Sequence, residues 1–337
     1  MLKKIKNYIK NKIIKRELKK TWIISVYFNI ENKNSYRKKN FELWYKQIER
    51  YNHLIVECSI NGSQYELENI VPKENLIKEK TDNILWIKEV LLNIALSKLP
   101  KNCKYVIWCD SDLLFSNENW VEDTVFKFWS EDIYVIQPFS MCYHLNKDQN
   151  VLDLTSKNSK WVSFAYNYAN NRVLSNKHDY DLHGHVGFVW GARRNAFDSF
   201  YTGALCGGFD HISAHAFAGQ IQHPCITKTY THTNQKIQEW SVKVNNIVKG
   251  RLGYISGDVY HLWHGALDKR DYYNRIKNTD KMISYLSNTN NKYYEVTDVN
   301  LQTYMKSYFS IRENTLDNDD LSQDKVYNVN QDINNFS

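Results

Sequence analysis

The chain has 337 residues and a formal net charge of +7, a length that suits one large domain or two modest ones. Hydrophobic residues make up 42% of it and charged residues 24%, proportions that exclude a wholly disordered or fibrous protein. The sequence contains no run of about 18 apolar residues, so we expect no membrane-spanning helix.

The positive charge is concentrated at the N-terminus. Residues 1–20 carry a net charge of +8, whereas residues 313–337 carry −5. Because a nucleic-acid binder usually carries its positive charge on the folded domain, we expect no nucleic-acid partner. Apolar residues recur every three to five positions among the N-terminal lysines, which predicts a basic amphipathic leader. Two alternatives stay open for it: binding to an anionic membrane surface, or packing onto the domain as a solubilising segment.

Six cysteines occur without a CxxC pair or the spacing of a zinc ribbon. This pattern favours buried free thiols, no structural disulfides and a reducing compartment. We therefore expect a cytoplasmic protein, peripheral at a membrane face if the leader binds lipid.

Strands and helices are predicted to alternate along the first half. Short apolar runs at 22–28, 53–58, 105–109 and 132–137 are typical of buried strands, and helical periodicity marks 35–51, 83–98 and 117–129. Alternation with short loops predicts an α/β fold: a mostly parallel sheet flanked by helices, in a single domain.

The second half is less regular. Residues 140–183 are polar and weakly periodic, as in a segment that shapes a substrate site. After them we predict a strand at 186–190, helices near 193–200, 209–218 and 268–287, and a disordered stretch over the last 25 residues. The resulting division is a leader (1–20), a folded domain (21–290, with halves 21–139 and 140–290) and a C-terminal extension (291–337).

Two carboxylates follow the strand at 105–109 directly. Asp110 and Asp112 flank Ser111 where the chain leaves the sheet, and open α/β sheets bind ligands at that edge. Such a pair can converge on a divalent cation, because Mg²⁺ and Mn²⁺ take carboxylate oxygens together with substrate phosphates. The competing interpretation is a solvated turn.

Two histidines, His261 and His264, bracket Trp263 late in the chain. In a strand, residues at i and i+3 face opposite ways, so the two need not share a ligand. If the chain turns at Gly265, one imidazole could complete a metal shell with the aspartates. Otherwise they are a surface histidine and a core histidine.

A further carboxylate, Asp210, follows Gly207 and Gly208 at a predicted helix start. It is either a helix N-cap or a general base in a cleft that the glycines leave open to a ligand.

The segment 183–191 combines histidines, glycines and aromatics, and forms either a wall of a sugar pocket or a tight turn. On the helix at 83–98, one flank carries Trp86, Glu89 and Asn93, and the adjacent Lys88 could approach a phosphate. This flank either belongs to the site or packs against a neighbouring loop.

Six segments, taken in chain order, resemble the nucleotide-sugar-dependent glycosyltransferases of the GT-A fold. Within this fold, the chain most resembles the family-2-like enzymes of bacteria, phages and large DNA viruses. It rests on residues 25–29, 85–93, 108–115, 187–194, 207–210 and 261–265. The family usually has an acidic pair where this chain has Phe209 and Asp210, and the acceptor region 140–183 matches nothing nameable.

The resemblance implies a Rossmann-like GT-A domain that binds a nucleotide sugar, with UDP as the first expectation, through residues 21–139. It implies acceptor and catalytic groups in residues 140–290, and an acceptor of unknown identity, whether glycan, lipid-linked or protein. The metal, Mn²⁺ or Mg²⁺, would be held by Asp110, Asp112 and His264, with His261 the weaker choice. Asp210 would be the base of an inverting transfer. The implied nucleotide-site residues are Tyr27, Asn29, Glu57, Trp86, Lys88, Asp110 and Ser111, and the implied substrate-site residues are Gly187, Trp190, Arg193 and Gly208.

Two other classes compete with this interpretation. A metal-dependent phosphohydrolase or nucleotidyltransferase also uses Asp/His clusters, but usually needs more carboxylates to hold two metals. A non-catalytic carbohydrate-binding module would bind sugar without any need for the metal site.

Overall fold

The computed structural model describes residues 2–148, 160–170, 183–205, 207–265, 276, 280, 286–287, 295–296 and 299–313. The helices in this part of the chain are α1 (Leu2–Leu18), α2 (Ser35–Ile48), α3 (Lys88–Lys98), α4 (Trp120–Ser130), α5 (Phe164–Ala169), α6 (Phe209–Phe217), α7 (Pro224–Thr227), α8 (Asn234–Val248) and α9 (Val299–Glu313). The strands are β1 (Thr21–Tyr27), β2 (His53–Ile60), β3 (Leu76–Thr81), β4 (Tyr105–Cys109), β5 (Leu113–Phe115), β6 (Val135–Gln137), β7 (Met141–His144), β8 (Lys160–Val162), β9 (Val189–Arg193), β10 (Leu252–Tyr254), β11 (Asp258–His261), β12 (Leu286–Ser287) and β13 (Glu295–Val296).

A seven-stranded sheet in the order β10-β6-β9-β4-β1-β2-β3 forms the centre of the fold. Neighbouring strands are parallel except β9, which runs antiparallel to both β4 and β6. The predicted α/β class with a mostly parallel sheet is therefore confirmed. Because β1, β2 and β4 are parallel, their carboxyl ends meet at one edge, and residues that follow them lie close together.

Apolar side chains cover both faces of this sheet. Successive residues of β4 alternate between two cores, with Tyr105 and Ile107 packing on one side and Val106 and Trp108 on the other. Helices α2 and α4 cover the first face, while α3, α6 and α8 cover the second. Burial on both faces explains why these strands read as continuous apolar runs.

A second sheet in the order β5-β11-β7-β8 connects the two halves of the chain. Strand β5 begins directly after Asp112, and it pairs with β11 so that Leu113 lies opposite His261. The backbone N–H of Leu262 donates to the carbonyl of Asp112 at 2.8 Å and extends this ladder by one bond. This pairing carries the late histidines to the aspartates.

Helix α1 packs onto the domain through its last turns. Ile14 and Glu17 are buried, and the Glu17 carboxylate pairs with Lys104 at 2.8 Å and with Arg16 at 2.8 Å. Ile5, Tyr8 and Ile9 are exposed near its start. Among the described residues, no helix is both long enough and apolar enough to cross a membrane.

Several predicted boundaries were wrong. The predicted helix at 83–98 begins only at Lys88, and the strand predicted at 186–190 is β9, which spans Val189–Arg193. Turns and bends occupy the region near 193–200, where a helix was predicted. The predicted helix at 268–287 and the disordered last 25 residues lie almost wholly outside the described residues.

Candidate active site

The carboxylate of Asp112 lies between two imidazoles. Its Oδ2 atom is 3.3 Å from Nε2 of His264 and 3.6 Å from Nε2 of His261, and both histidines are buried. One ligand atom from each of the three side chains lies within 4.8 Å of the others. Strand β11 ends at His261 and the chain then turns, so the alternation that would separate i from i+3 no longer applies. Both histidines therefore face the same carboxylate.

Helix α2 anchors the segment that carries His264. The side-chain amide of Asn34 donates to the carbonyl of His264 at 3.0 Å, and that of Asn40 donates to the carbonyl of Trp263 at 2.9 Å. Both asparagines are buried. Sequence reasoning missed them, although Asn34 carried a signal as a potential N-cap, and it does accept from the backbone N–H of Tyr36.

Lys88 lies between Asp110 and Asp210. Its Nζ atom is 2.5 Å from Oδ1 of Asp110 and 3.9 Å from Oδ2 of Asp210. Burial alone would lower the pKa of Lys88, but these two carboxylates outweigh it and raise that pKa. Burial, opposed by Lys88 and reinforced by Asp210 and Asp112, raises the pKa of Asp110 to about 6. Burial likewise raises the pKa of the neighbouring Glu89 to about 8.

Asp210 lies in the first turn of α6 and does not cap it. The N-cap position is Gly208, at φ 96°, and no side chain accepts a hydrogen bond there. A Cβ atom at Gly208 would clash with the Tyr230 hydroxyl, and one at Gly187 would lie 3.1 Å from Oδ2 of Asp210. Asp210 is therefore not the N-cap of α6. The missing side chain of Gly187 leaves room for the Asp210 carboxylate.

Three of the residues assigned to the nucleotide site meet in one network. Glu57 accepts from the backbone N–H of Glu66 at 2.5 Å and of Leu67 at 3.2 Å. Glu66 in turn accepts from the Tyr27 hydroxyl at 2.7 Å and from the Asn29 amide at 3.0 Å. Glu66, which the sequence did not single out, thus ties the carboxyl end of β1 to Glu57 within β2.

Trp86 and Ser111 lie near the same edge of the sheet. Trp86 precedes α3 and packs edge-to-face on Phe28, with ring centroids 5.9 Å apart. The Ser111 hydroxyl donates to the carbonyl of Val26 at 3.4 Å.

Two predicted substrate residues, Trp190 and Arg193, lie elsewhere. Trp190 is fully buried in the core and donates to the carbonyl of Val186 at 2.8 Å. Because β9 runs antiparallel to β4, Arg193 pairs with Tyr105 at the opposite end of β4 from Asp110. Its guanidinium donates to the carbonyls of Ile133 and Phe128, so the structure does not bring it to the site.

No protein-family model matches the chain, and no curated protein matches it significantly. The fold is similar to that of several solved structures. S. aureus TarS 1-349 is 13% identical over 86% of this chain and 70% of its own, with a TM-score of 0.39. Glucosyl-3-phosphoglycerate synthase from Mycobacterium tuberculosis, in complex with Mg²⁺ and UDP, is 11% identical over 80% of this chain and 82% of its own, with a TM-score of 0.40. The catalytic domain of Drosophila β1,4-galactosyltransferase 7 is 10% identical over 81% of this chain and 82% of its own, with a TM-score of 0.36. Glycosyltransferases are thus among the structures that this fold resembles, as the sequence motifs led us to expect.

Proposed function

We propose that this protein is a metal-dependent glycosyltransferase that moves a sugar from a nucleotide sugar to an acceptor hydroxyl. One observation carries the proposal. At the carboxyl edge of the parallel strands, a carboxylate flanked by two imidazoles adjoins a second carboxylate, Asp110, which shares Lys88 with Asp210. The proposed cation ligands are therefore connected to the proposed proton acceptor, Asp210, through Asp110 and Lys88.

The donor atoms fit a divalent cation. Asp112 offers a carboxylate oxygen and the two histidines offer ring nitrogens, all within 4.8 Å. Mg²⁺ takes oxygen ligands almost exclusively, so this mixed set favours Mn²⁺. Asp110 would join as a ligand once its pairing with Lys88 loosens. When bound, the ion would act as a Lewis acid that stabilises charge on the departing diphosphate.

Residues of the first half would hold the nucleotide. The Glu66 network fixes Tyr27 and Asn29 at the ends of β1, and Trp86 offers an aromatic surface nearby. UDP is proposed from the sequence resemblance. Lys88 would keep Asp110 and Asp210 close to each other by offsetting their charges.

Asp210 would act as the general base. The acceptor oxygen forms a bond to the anomeric carbon while the bond from that carbon to the phosphate oxygen breaks, and the hydroxyl proton passes to the Asp210 carboxylate. A single displacement of this kind inverts the anomeric configuration. Alignment of the two substrates at the sheet edge would supply much of the rate enhancement.

The test is a screen of nucleotide sugars for thermal stabilisation of the full chain with Mn²⁺, because donor binding to the native state raises apparent stability. Release of the nucleoside diphosphate is then measured with and without candidate acceptors. We expect release that depends on both Mn²⁺ and an acceptor. Release of the nucleoside diphosphate at the same rate without an acceptor would indicate a phosphohydrolase. Sugar binding that persists after the metal is chelated would indicate a non-catalytic module.

A further inference from the structure

A second cluster of metal-ligand side chains lies in the core, apart from Asp112. It consists of His183, His211, His215 and Cys225, which are all buried, at 0–6% exposure. Buried polar side chains need partners, so three imidazoles and a thiol at one point in a core call for an explanation. No carboxylate belongs to this group.

The local structure brings the four side chains together. His211 and His215 are four residues apart on α6, so they lie on the same face one turn apart. The short helix α7, which begins at Pro224, places Cys225 against His183. The spacing of the four residues matches no zinc-ribbon pattern, and the cluster was not predicted from the sequence.

The distances suit tetrahedral coordination. The Cys225 Sγ atom is 3.3 Å from Nε2 of His183, and one ligand atom from each of the four residues lies within 4.8 Å of the others. Zinc bonds of about 2.0–2.3 Å place neighbouring tetrahedral ligands about 3.3–3.6 Å apart. Small side-chain shifts would close the set around one ion.

Surrounding residues fix the orientation of the imidazole rings, as residues around metal-binding histidines do. Nδ1 of His215 lies 3.3 Å from Oε1 of Gln220, which leaves Nε2 for the cluster. His223 stacks on His215 with centroids 4.2 Å apart, and its Nδ1 accepts from the backbone N–H of Cys225. The edge of Phe164 packs against His215 and shields that ring on an apolar side.

We propose that His183, His211, His215 and Cys225 hold a structural Zn²⁺ ion. Imidazole and thiolate are the ligands that zinc prefers, and four protein ligands leave no open position for a substrate. Since α6 also carries Asp210, the ion would fix the helix that presents this carboxylate. The site stands on its own geometry and does not depend on the proposed transferase activity.

The test uses the full chain, stripped of metal and loaded with Co²⁺, which replaces zinc and gives a thiolate-to-cobalt charge-transfer band only when a cysteine is a ligand. We expect this band in the wild type, and a single equivalent of tightly held zinc by mass spectrometry after purification with zinc. Cys225→Ala should lose the band. It should persist in Cys103→Ala, which removes another buried thiol, and in Asp112→Asn, which alters the other metal cluster.

The wild-type spectrum decides the question even if Cys225→Ala fails to fold. A wild-type chain that takes up Co²⁺ without the band, or takes up none, would overturn the proposal. So would a band that survives in folded Cys225→Ala. The band itself reports only on the Cys225 cluster, because the Asp112 cluster contains no thiol.

Discussion

Nε2 of His264 lies 3.3 Å from Oδ2 of Asp112, although 152 positions separate the two residues in the chain. The pairing of β5 with β11 produces this contact, because it places His261 opposite Leu113. The proposed metal site therefore depends on the second sheet as much as on the end of β4. Substituting either histidine tests whether both of them bind the metal.

His261→Ala and His264→Ala are each expected to weaken Mn²⁺ binding. Each removes one nitrogen that faces Asp112, and we expect a loss of at least tenfold, a scale that even indirect partners of metal ligands reach. Isothermal titration with Mn²⁺ measures it. His232→Ala, at a half-exposed histidine that pairs with Asp280, is the matched control. Unchanged affinity in both site variants would exclude the histidines as ligands.

Asp210→Asn is expected to bind the donor normally and to lose turnover. The amide keeps the shape of the side chain but cannot take the acceptor proton, and general bases typically contribute about 10²–10⁴-fold. Donor affinity by thermal shift and the turnover rate are measured on the same sample. Asp132→Asn, at an exposed aspartate paired with Arg251, serves as the control. Full activity in Asp210→Asn would eliminate it as the base.

Gly187→Ala is expected to lower turnover about tenfold without weakening donor binding. The added Cβ atom would lie 3.1 Å from Oδ2 of Asp210, so the carboxylate must shift by a few tenths of an ångström. Small misplacements of reacting groups are costly, on the order of 10²-fold for 1 Å. Steady-state kinetics separate the turnover number from the KM for the donor. An unchanged turnover number would place Asp210 outside the reaction.

Glu17→Gln is expected to destabilise the fold in a pH-dependent way. Burial alone would raise the pKa of Glu17, but hydrogen bonds from Lys104 and Arg16 outweigh it and hold the pKa below its ordinary 4.5. A lowered pKa contributes stability that is present above the ordinary value and is lost as the pH falls through the lowered one. The difference in unfolding free energy between wild type and variant should therefore be full at pH 7 and shrink below about pH 4.5.

Urea unfolding at several pH values measures this difference. Glu68→Gln breaks an exposed pair with Lys78 and should have little effect, since surface pairs contribute about 0–1 kcal/mol. An equal loss in both variants would contradict the role assigned to Glu17.

The start of α1 is expected to bind anionic vesicles. Ile5 and Ile9 are exposed among lysines, and each basic residue near an anionic surface contributes about 1 kcal/mol. A double variant, Ile5→Glu with Ile9→Glu, should reduce sedimentation with phosphatidylserine vesicles and leave turnover unchanged. Deleting residues 1–20 is a poorer test, because it also removes the buried Glu17. Equal sedimentation of wild type and double variant would remove the membrane role.

Local patterns predicted the sheet well, because strands buried on both faces have an apolar sequence that loops lack. They also singled out Asp110, Asp112 and Asp210, which the structure places after the end of β4 and in the first turn of α6. What they missed depends on strand direction and long-range pairing. Arg193 was assigned to the site without knowing that β9 runs antiparallel to β4, which carries it to the opposite edge.

Trp190 and His261 show the same limit. The glycine and aromatic pattern around Trp190 suggested a sugar-binding wall, but the side chain faces the covering helices and fills the core. Strand alternation suggested that His261 and His264 need not share a ligand, but the turn after β11 brings both to Asp112. Asn34 and Asn40 act through bonds to residues more than 200 positions away, and short-range patterns do not encode such contacts.

The most direct measurement is Mn²⁺ binding, followed by electron paramagnetic resonance in the presence of a nucleoside diphosphate, for the wild type and for Asp112→Asn. If a cation links this carboxylate to the diphosphate, the wild type gives a nucleotide-dependent bound-Mn²⁺ signal that the variant loses. The same bound signal in both proteins would show that the ion lies elsewhere, and would contradict the proposed site.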